Sequence, residues 1–453
     1  MNLKHAAAAL ALTSLVAAGA AQAAPKEITV AIASTFTTLD PYDASDTLSQ
    51  TASKSFYEGL FTFDKDMKVI DALATDYKVS DDGLVYTVTL RKGVKFHDGS
   101  EFQADAVKAN FDRVTNKANG LKRYMLYQNI EKTEVVDPDT VRFTLKKPFS
   151  SFINQLAHPA GVMICPSTLA NKTNKQIAFE PCGTGPYTLD KYNPSEGMRV
   201  VKNPNYWQAG FPKLDAINWK PVVENSTRVA MLLTGEAQFA FPLPAEQVKQ
   251  VQGKDQVRLD ITPSIILRYV EMNMSKKPFQ DKRVREAFNY AINKEALCKV
   301  AFAGYADPAT GYAPAAIDFA EKLGPWPYDP KKARELLKEA GYPNGFKTTL
   351  WSAFNNTTAV KTMQFVQQQL AQVGIKAEAR ALEAGQRVQV YGNKDPKKAP
   401  NRLYIIGWSN STVDPDWGMR PALYSKNQPP VLNNEAYYQN PKVDALLDQA
   451  LAD

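Results

Sequence analysis

From about residue 275 onward the chain repeats one unit, an amphipathic helix closed by glycine and followed by a strand, and this unit constrains the fold more than any other feature. Asp281 is placed to cap a helix whose buried side carries Val284, Ala287, Phe288, Ala291 and Ile292. Asp329-Pro330 opens the next helix, with aspartate at the N-cap and proline at the first helical position. Ala333, Leu336, Leu337 and Ala340 form its apolar stripe, and Gly341 followed by Pro343 stops it. A third helix is expected from about Thr358 to Val373, ended by Gly374 and followed by a strand from Ile375 to Ala379. Helix, glycine and strand in succession describe an α/β lobe, a sheet with helices over its face.

The first half has another texture. Ile28 to Ile32 is a short apolar strand that runs into a polar loop from Ser34 to Asp40, the kind of exit at which α/β proteins place ligand contacts. Leu84 to Leu90 alternates, with Tyr86, Val88 and Leu90 on one face and Thr87 and Thr89 on the other. Thr133 to Leu145 reads as a hairpin turning at Asp137-Pro138-Asp139. Residues 56–199 are thus expected to be mostly antiparallel strands. A chain of 453 residues exceeds one ordinary core, and a 44% hydrophobic content suits a globular protein of two or three domains.

The start of the sequence speaks to compartment. Lys4 and His5 form a basic n-region, Ala6 to Val16 is an apolar run too short to span a bilayer, and Ala21-Gln22-Ala23 fits a peptidase site. Residues 1–23 are therefore expected to be a cleavable signal peptide, cut after Ala23 or one residue later. No cysteine lies there to carry a lipid anchor, and no later segment has the apolar length of a membrane helix. The expected location is the periplasm. An oxidising compartment admits a bridge among Cys165, Cys182 and Cys298. Cys165 and Cys182 sit in a loop-rich stretch and are the expected pair, worth on the order of 3 kcal/mol; two free thiols are the alternative. Cys298 falls in a helical pattern and packs as a small apolar residue.

Charge and histidine usage exclude several functions. The formal net charge of +7 is spread among acidic residues with no Lys/Arg block, unlike a nucleic-acid surface. Beyond the leader only His97 and His158 remain, no G-x-S-x-G elbow or P-loop is present, and neither histidine has neighbours at metal-ligand spacing. His97 precedes Asp98-Gly99 and reads as a solvated turn residue. No enzyme activity, metal or cofactor is expected. Asp414 and Asp416 admit three readings: a hydrolytic carboxylate pair, an ordinary Asp-Pro turn, or an acceptor for a ligand ammonium in an aromatic cleft. Trp408 and Trp417 on either side favour the last.

Several stretches carry a family resemblance. Arg91-Lys92-Gly93-Val94-Lys95-Phe96-His97-Asp98-Gly99, with Phe102 and Ala104-Asp105-Ala106-Val107 after it, resembles the signature of the family-5 extracellular solute-binding proteins. These serve ABC importers for oligopeptides, dipeptides, nickel and related solutes. Gly183-Thr184-Gly185-Pro186-Tyr187, Asn203-Pro204-Asn205-Tyr206-Trp207, Met231 to Glu236 and Val284 to Ile292 match as well. Phe36 to Asp43, Gly235 to Pro242, Trp326 to Pro330 and Lys331 to Gly345 resemble the family members that serve glutathione import. The resemblance implies a two-lobed, type II-like periplasmic-binding-protein fold with an extra subdomain inserted in the first lobe. On that basis lobe I is expected at 25–55 and 200–272, the subdomain at 56–199 and lobe II at 273–453. Such proteins usually return to lobe I, which fits a final helical stretch, Pro441 onward, that carries no capping glycine.

The resemblance also implies a mechanism. Two lobes joined by hinge strands close on glutathione, or alternatively on a dipeptide or oligopeptide, and an inner-membrane permease reads the closed form of a monomer. Peptide-binding relatives typically carry Gly-Trp-x-x-Asp, whose aspartate takes the α-ammonium; here Gly407-Trp408-Ser409-Asn410-Ser411 puts serine there, which favours a γ-glutamyl compound. Relatives usually lack both Cys165 and Cys182, which strengthens their pairing. Arg268, in Ser264 to Tyr269, is the expected carboxylate clamp, with a surface arginine as the alternative. Asp416 is the expected ammonium acceptor. Thr35, Phe36 and Thr37 are expected to line the cleft, with Trp408 and Asn410 facing them.

Overall fold

A computed structural model describes residues 26–382, 386, 395–396, 398–400, 402–429 and 431–452. The expected signal peptide, 1–23, lies outside them. The chain enters through β1 (Glu27–Ile32) and α1 (Thr47–Ser53), then β2 (Phe61–Phe63), β3 (Val69–Asp71), β4 (Ala74–Val79) and β5 (Val85–Leu90). Helix α2 (Ala104–Thr115) and the short α3 (Tyr124–Tyr127) precede the hairpin β6 (Ile130–Asp137) and β7 (Thr140–Leu145). Short helices α4 (Phe152–Leu156), α5 (Pro166–Asn171) and α6 (Asn174–Ile177) lead to β8 (Tyr187–Asn193), β9 (Gly197–Lys202) and β10 (Ala216–Pro221). Then come α7 (Asn225–Thr234), β11 (Phe239–Phe241), α8 (Val248–Val251) and β12 (Ile266–Met272). The rest is α9 (Lys282–Ala291), α10 (Lys294–Phe302), α11 (Pro330–Glu339), β13 (Lys347–Ser352), α12 (Thr357–Gln372), β14 (Lys376–Ala381), β15 (Leu403–Ser409), α13 (Pro415–Leu423) and α14 (Pro441–Gln449).

Two main sheets make two lobes. The first has the order β11-β1-β10-β9-β8, with β1 parallel to both β10 and β11. The second has the order β12-β15-β13-β14, with β13 parallel to its neighbours β14 and β15, and β12 antiparallel to β15. A third, antiparallel sheet, β4-β5-β7-β6, belongs to the insertion. Alternation in β5 works as its sequence suggests: Tyr86, Val88 and Leu90 are buried, and Thr89 faces solvent. In the second lobe Asp281 and Asp329 cap α9 and α11, and Gly374 takes a positive φ of 87° at the exit of α12. Val284, Ala287, Phe288, Ala333, Leu336 and Leu337 close the core over one face of that sheet.

Two boundaries differ from those implied by the resemblance. Strand β8 falls inside 56–199 yet is an edge of the first-lobe sheet, because it pairs with β9 from Tyr187 to Asn193. The apolar core of the first lobe also runs unbroken into the insertion, from Val30 and Ile32 to Phe111 and Phe143. In addition, the span 273–453 contains a stretch after Asn410 that packs on this same core, through Trp417 and Leu451. Two family motifs prove structural. His97 is no solvated turn residue: Gly183 N–H donates to its Nδ1 (3.4 Å), and its Nε2–H donates to the Gly185 carbonyl (2.9 Å). A side chain on Gly183 or Gly185 would overlap the Phe56 backbone, so the Gly-Thr-Gly loop lies flush against it. Tyr206, Trp207 and Thr184 all donate to the half-buried Glu58 carboxylate.

Candidate functional site

Parallel strands bring their carboxyl ends, and the loops that follow, to one edge of a sheet, where α/β proteins bind ligands. In the first lobe that edge holds Ile32, Pro221 and Phe241, the ends of β1, β10 and β11. In the second it holds Ser352, Ala381 and Ser409, with the amino end of β12 beside them at Ile266. Arg268 and Trp408 stand on this second edge, and Thr35 to Thr37 follow the first.

Arg268 is held in place by its surroundings. Its partner across the ladder is Gly407, where an added Cβ would stand 3.0 Å from the Arg268 Cδ and 3.1 Å from the Leu267 carbonyl. The missing side chain therefore lets the arginine lie over β15. Its guanidinium sits 4.7 Å above the Phe354 ring, in cation–π range. Solvent still reaches the side chain, yet the surrounding protein removes enough hydration to lower its pKa, as on a cleft wall. Arginine stays cationic through such a shift. Among the described residues no carboxylate forms an ion pair with it.

The other expected contacts divide. Thr35 is exposed. Phe36 is turned into the first-lobe core, 6.0 Å from the Trp219 ring and 6.4 Å from Tyr192, because an apolar ring gains more from that packing than from a wet groove. Thr37 is engaged with the cap of α1: its hydroxyl donates to Asp46, and its N–H donates to Ser49 Oγ (2.9 Å). Trp408 donates its indole N–H to the Trp417 carbonyl (2.7 Å), with the two rings 5.7 Å apart. Asn410 is buried, its N–H on the Ile265 carbonyl (3.1 Å), and its side chain fills the space a Cβ on Gly418 would need. It braces the turn rather than facing the groove.

Asp416 is not an open ammonium acceptor. Its Oδ1 accepts from Arg420 Nε (2.7 Å), and Arg420 Nη1 reaches Asp448 (2.7 Å), tying α13 to α14. Burial nevertheless pushes the Asp416 carboxyl up to about 6, against the pull of Arg420. Burial costs this carboxylate more hydration than one attached guanidinium returns. Asp414 caps α13 and accepts from the Ser151 hydroxyl of the first lobe.

A contact with no signature in the sequence fastens the stretch after Asn410 to the first lobe beside these residues. His158 is buried, and the Ala160 N–H donates to its Nδ1 (3.0 Å), so the proton sits on Nε2 and is donated to Ser411 Oγ (3.0 Å). Burial, with Arg123 nearby, holds its pKa well below the ordinary range and keeps the ring neutral. Asn154 adds a bond to the Thr412 carbonyl (3.1 Å). The Cys165–Cys182 bridge is formed, with 5.4 Å between Cα atoms, and Cys298 is free and half-buried. That a histidine 253 residues away would face Ser411 follows from tertiary packing alone.

Comparison with known proteins agrees with this architecture. Residues 68–430 match the model for bacterial extracellular solute-binding proteins, family 5 middle region. The glutathione-binding protein GsiB of Escherichia coli O1:K1 is 58% identical over 428 residues, covering 94% of this chain and 83% of that protein. The protein of that name from Salmonella choleraesuis is 58% identical over 444 residues, covering 98% and 86%. Among solved structures, the Helicobacter pylori periplasmic binding protein DppA, in complex with the peptide STSA, superposes with a TM-score of 0.83 at 30% identity, covering 94% and 86%. With this match across most of its length, the chain belongs to the bacterial extracellular solute-binding proteins of family 5.

Proposed function

We propose that this protein captures glutathione in the groove between its two lobes and delivers it, chemically unchanged, to the permease of an ABC importer. The observation that carries the reading is Arg268: a solvent-reachable arginine, set over Gly407 and Phe354 at the carboxyl edge of the second sheet, with no carboxylate among the described residues paired to it. Glutathione brings two carboxylates, and a guanidinium binds one through two parallel hydrogen bonds. The relatives named glutathione-binding point to the same cargo. We further read it as a monomer that binds no nucleic acid and is exported to the periplasm by a cleavable leader.

A dipeptide is the second reading, supported by structural relatives solved with peptides, such as the Pseudoalteromonas protein with Met-Leu (TM-score 0.83, 26% identity). Thermal unfolding of the purified protein with each solute separates the two. Glutathione at about 1,000 times its Kd should add roughly 4 kcal/mol of stability and raise the melting temperature. A rise with Met-Leu and none with glutathione would overturn the assignment.

A further inference from the structure

Away from the groove, three metal-ligating side chains converge. The Sγ atoms of Cys165 and Cys182 and a carboxylate oxygen of Asp98 all lie within 4.8 Å of one another. Their chain segments are laced together by bonds that do not depend on the disulfide. Cys165 N–H donates to the Cys182 carbonyl (2.9 Å), and His97 N–H donates to the Gly183 carbonyl (2.8 Å). Opening the sulfur–sulfur bond therefore leaves the three side chains side by side.

We propose that reduction of Cys165–Cys182 turns this cluster into a binding site for a thiophilic divalent cation such as Zn²⁺, with two thiolates and the Asp98 carboxylate as ligands. The carboxylate is prepared for the task. Ser100 N–H (3.0 Å) and Oγ (2.6 Å) donate to its Oδ1, and Ser167 Oγ donates to its Oδ2. Zinc binds thiolate at about 2.3 Å and carboxylate at about 2.0–2.2 Å, so tetrahedral ligand atoms lie about 3.5 Å apart, within the spread seen here. Asp98 is exposed, so water can take the fourth position. Without a cation, three anions this close would repel, and the thiols would keep their protons; binding the metal releases them.

The redox step requires a low-molecular-weight thiol. One thiolate attacks the half-buried Cys182 Sγ, breaking the sulfur–sulfur bond and expelling Cys165 as thiolate. A second attacks the mixed disulfide and leaves with the first as an oxidised dimer. Two thiols are oxidised, the protein disulfide takes up two electrons, and the two thiol protons pass to the cysteines, then to solvent when the cation binds. This site does not depend on the identity of the cargo.

The test uses untagged protein carrying Cys298→Ser, so that no other thiol is present. Oxidised and phosphine-reduced samples, the latter desalted without oxygen, are titrated with Zn²⁺ against a chromophoric chelator. The expected result is one Zn²⁺ per reduced chain, bound at least a hundredfold more tightly than by the oxidised chain. Co²⁺ in its place should give a thiolate charge-transfer band. Asp98→Asn should weaken Zn²⁺ binding at least tenfold with unchanged circular dichroism. Equal affinity in both redox states, no loss in Asp98→Asn, or loss of native circular dichroism on reduction alone would each overturn the proposal.

Discussion

At the scale of single residues, the function rests on how Arg268 is held. Removing it should weaken glutathione binding at least tenfold, since a hydrogen bond to a charged group is worth about 1.5–3 kcal/mol. The free protein should lose little stability in Arg268→Ala, because the side chain is exposed and only its cation–π contact with Phe354 is lost. Calorimetric titration and thermal unfolding of one variant read both effects, and an unchanged affinity would remove Arg268 from the site. Gly407→Ala makes a related point. Its Cβ would crowd the Arg268 Cδ at 3.0 Å, so the arginine must shift by a few tenths of an ångström over Phe354. Affinity should fall, by less than in Arg268→Ala because the guanidinium remains, and an affinity equal to wild type would show that the glycine does not position it. Neither the glycine's purpose nor the cation–π contact is visible in sequence, because Arg268 and Gly407 meet only through pairing of β12 with β15.

At the scale of elements, β12 also carries a buried acid. Glu271 faces Glu435, with Tyr312 and Tyr437 around the pair, and burial first, then the neighbouring carboxylate, pushes its pKa well above the ordinary range. Its folded pKa thus exceeds the unfolded value of about 4.3. The folded state binds the extra proton, so this group's contribution to stability grows as pH falls from its folded pKa toward 4.3 and is lost as pH rises through the folded pKa. Glu271→Gln should flatten that part of the stability–pH curve and leave neutral-pH stability equal or higher. A curve with the wild-type slope would show that Glu271 does not titrate there. The helices of the second lobe were legible because capping and periodicity are local: Asp281, Asp329 and Gly374 act where the sequence places them. Asp416 shows the limit. Its partner Arg420 stands one turn along the same helix, a spacing the sequence carries, but Asp448, reached through Arg420, belongs to the packing of α13 on α14.

At the scale of the molecule, the chain leaves β15 and settles on the first lobe, where His158–Ser411, Asn154–Thr412 and Ser151–Asp414 fasten it. The α/β rhythm and the antiparallel texture of the insertion were present in the sequence, and the sheets follow them. The sharing of one core between the first lobe and the insertion was not, since apolar spacing tells which residues are buried and not against what. Within that shared core the Cys165–Cys182 bridge closes a separation of 17 residues. Replacing both cysteines with serine should cost about 3 kcal/mol by denaturant unfolding while glutathione affinity stays the same, the bridge lying away from the groove. A loss of affinity would mean that the bridge positions the groove.

The central claim is that this pair of lobes holds intact glutathione. Isothermal titration of the purified protein with glutathione, followed by mass analysis of the solute recovered from the cell, tests it most directly. The expected result is saturable one-to-one binding with a negative heat-capacity change and glutathione recovered at its original mass. No binding, or a cleaved product in the recovered solute, would contradict it.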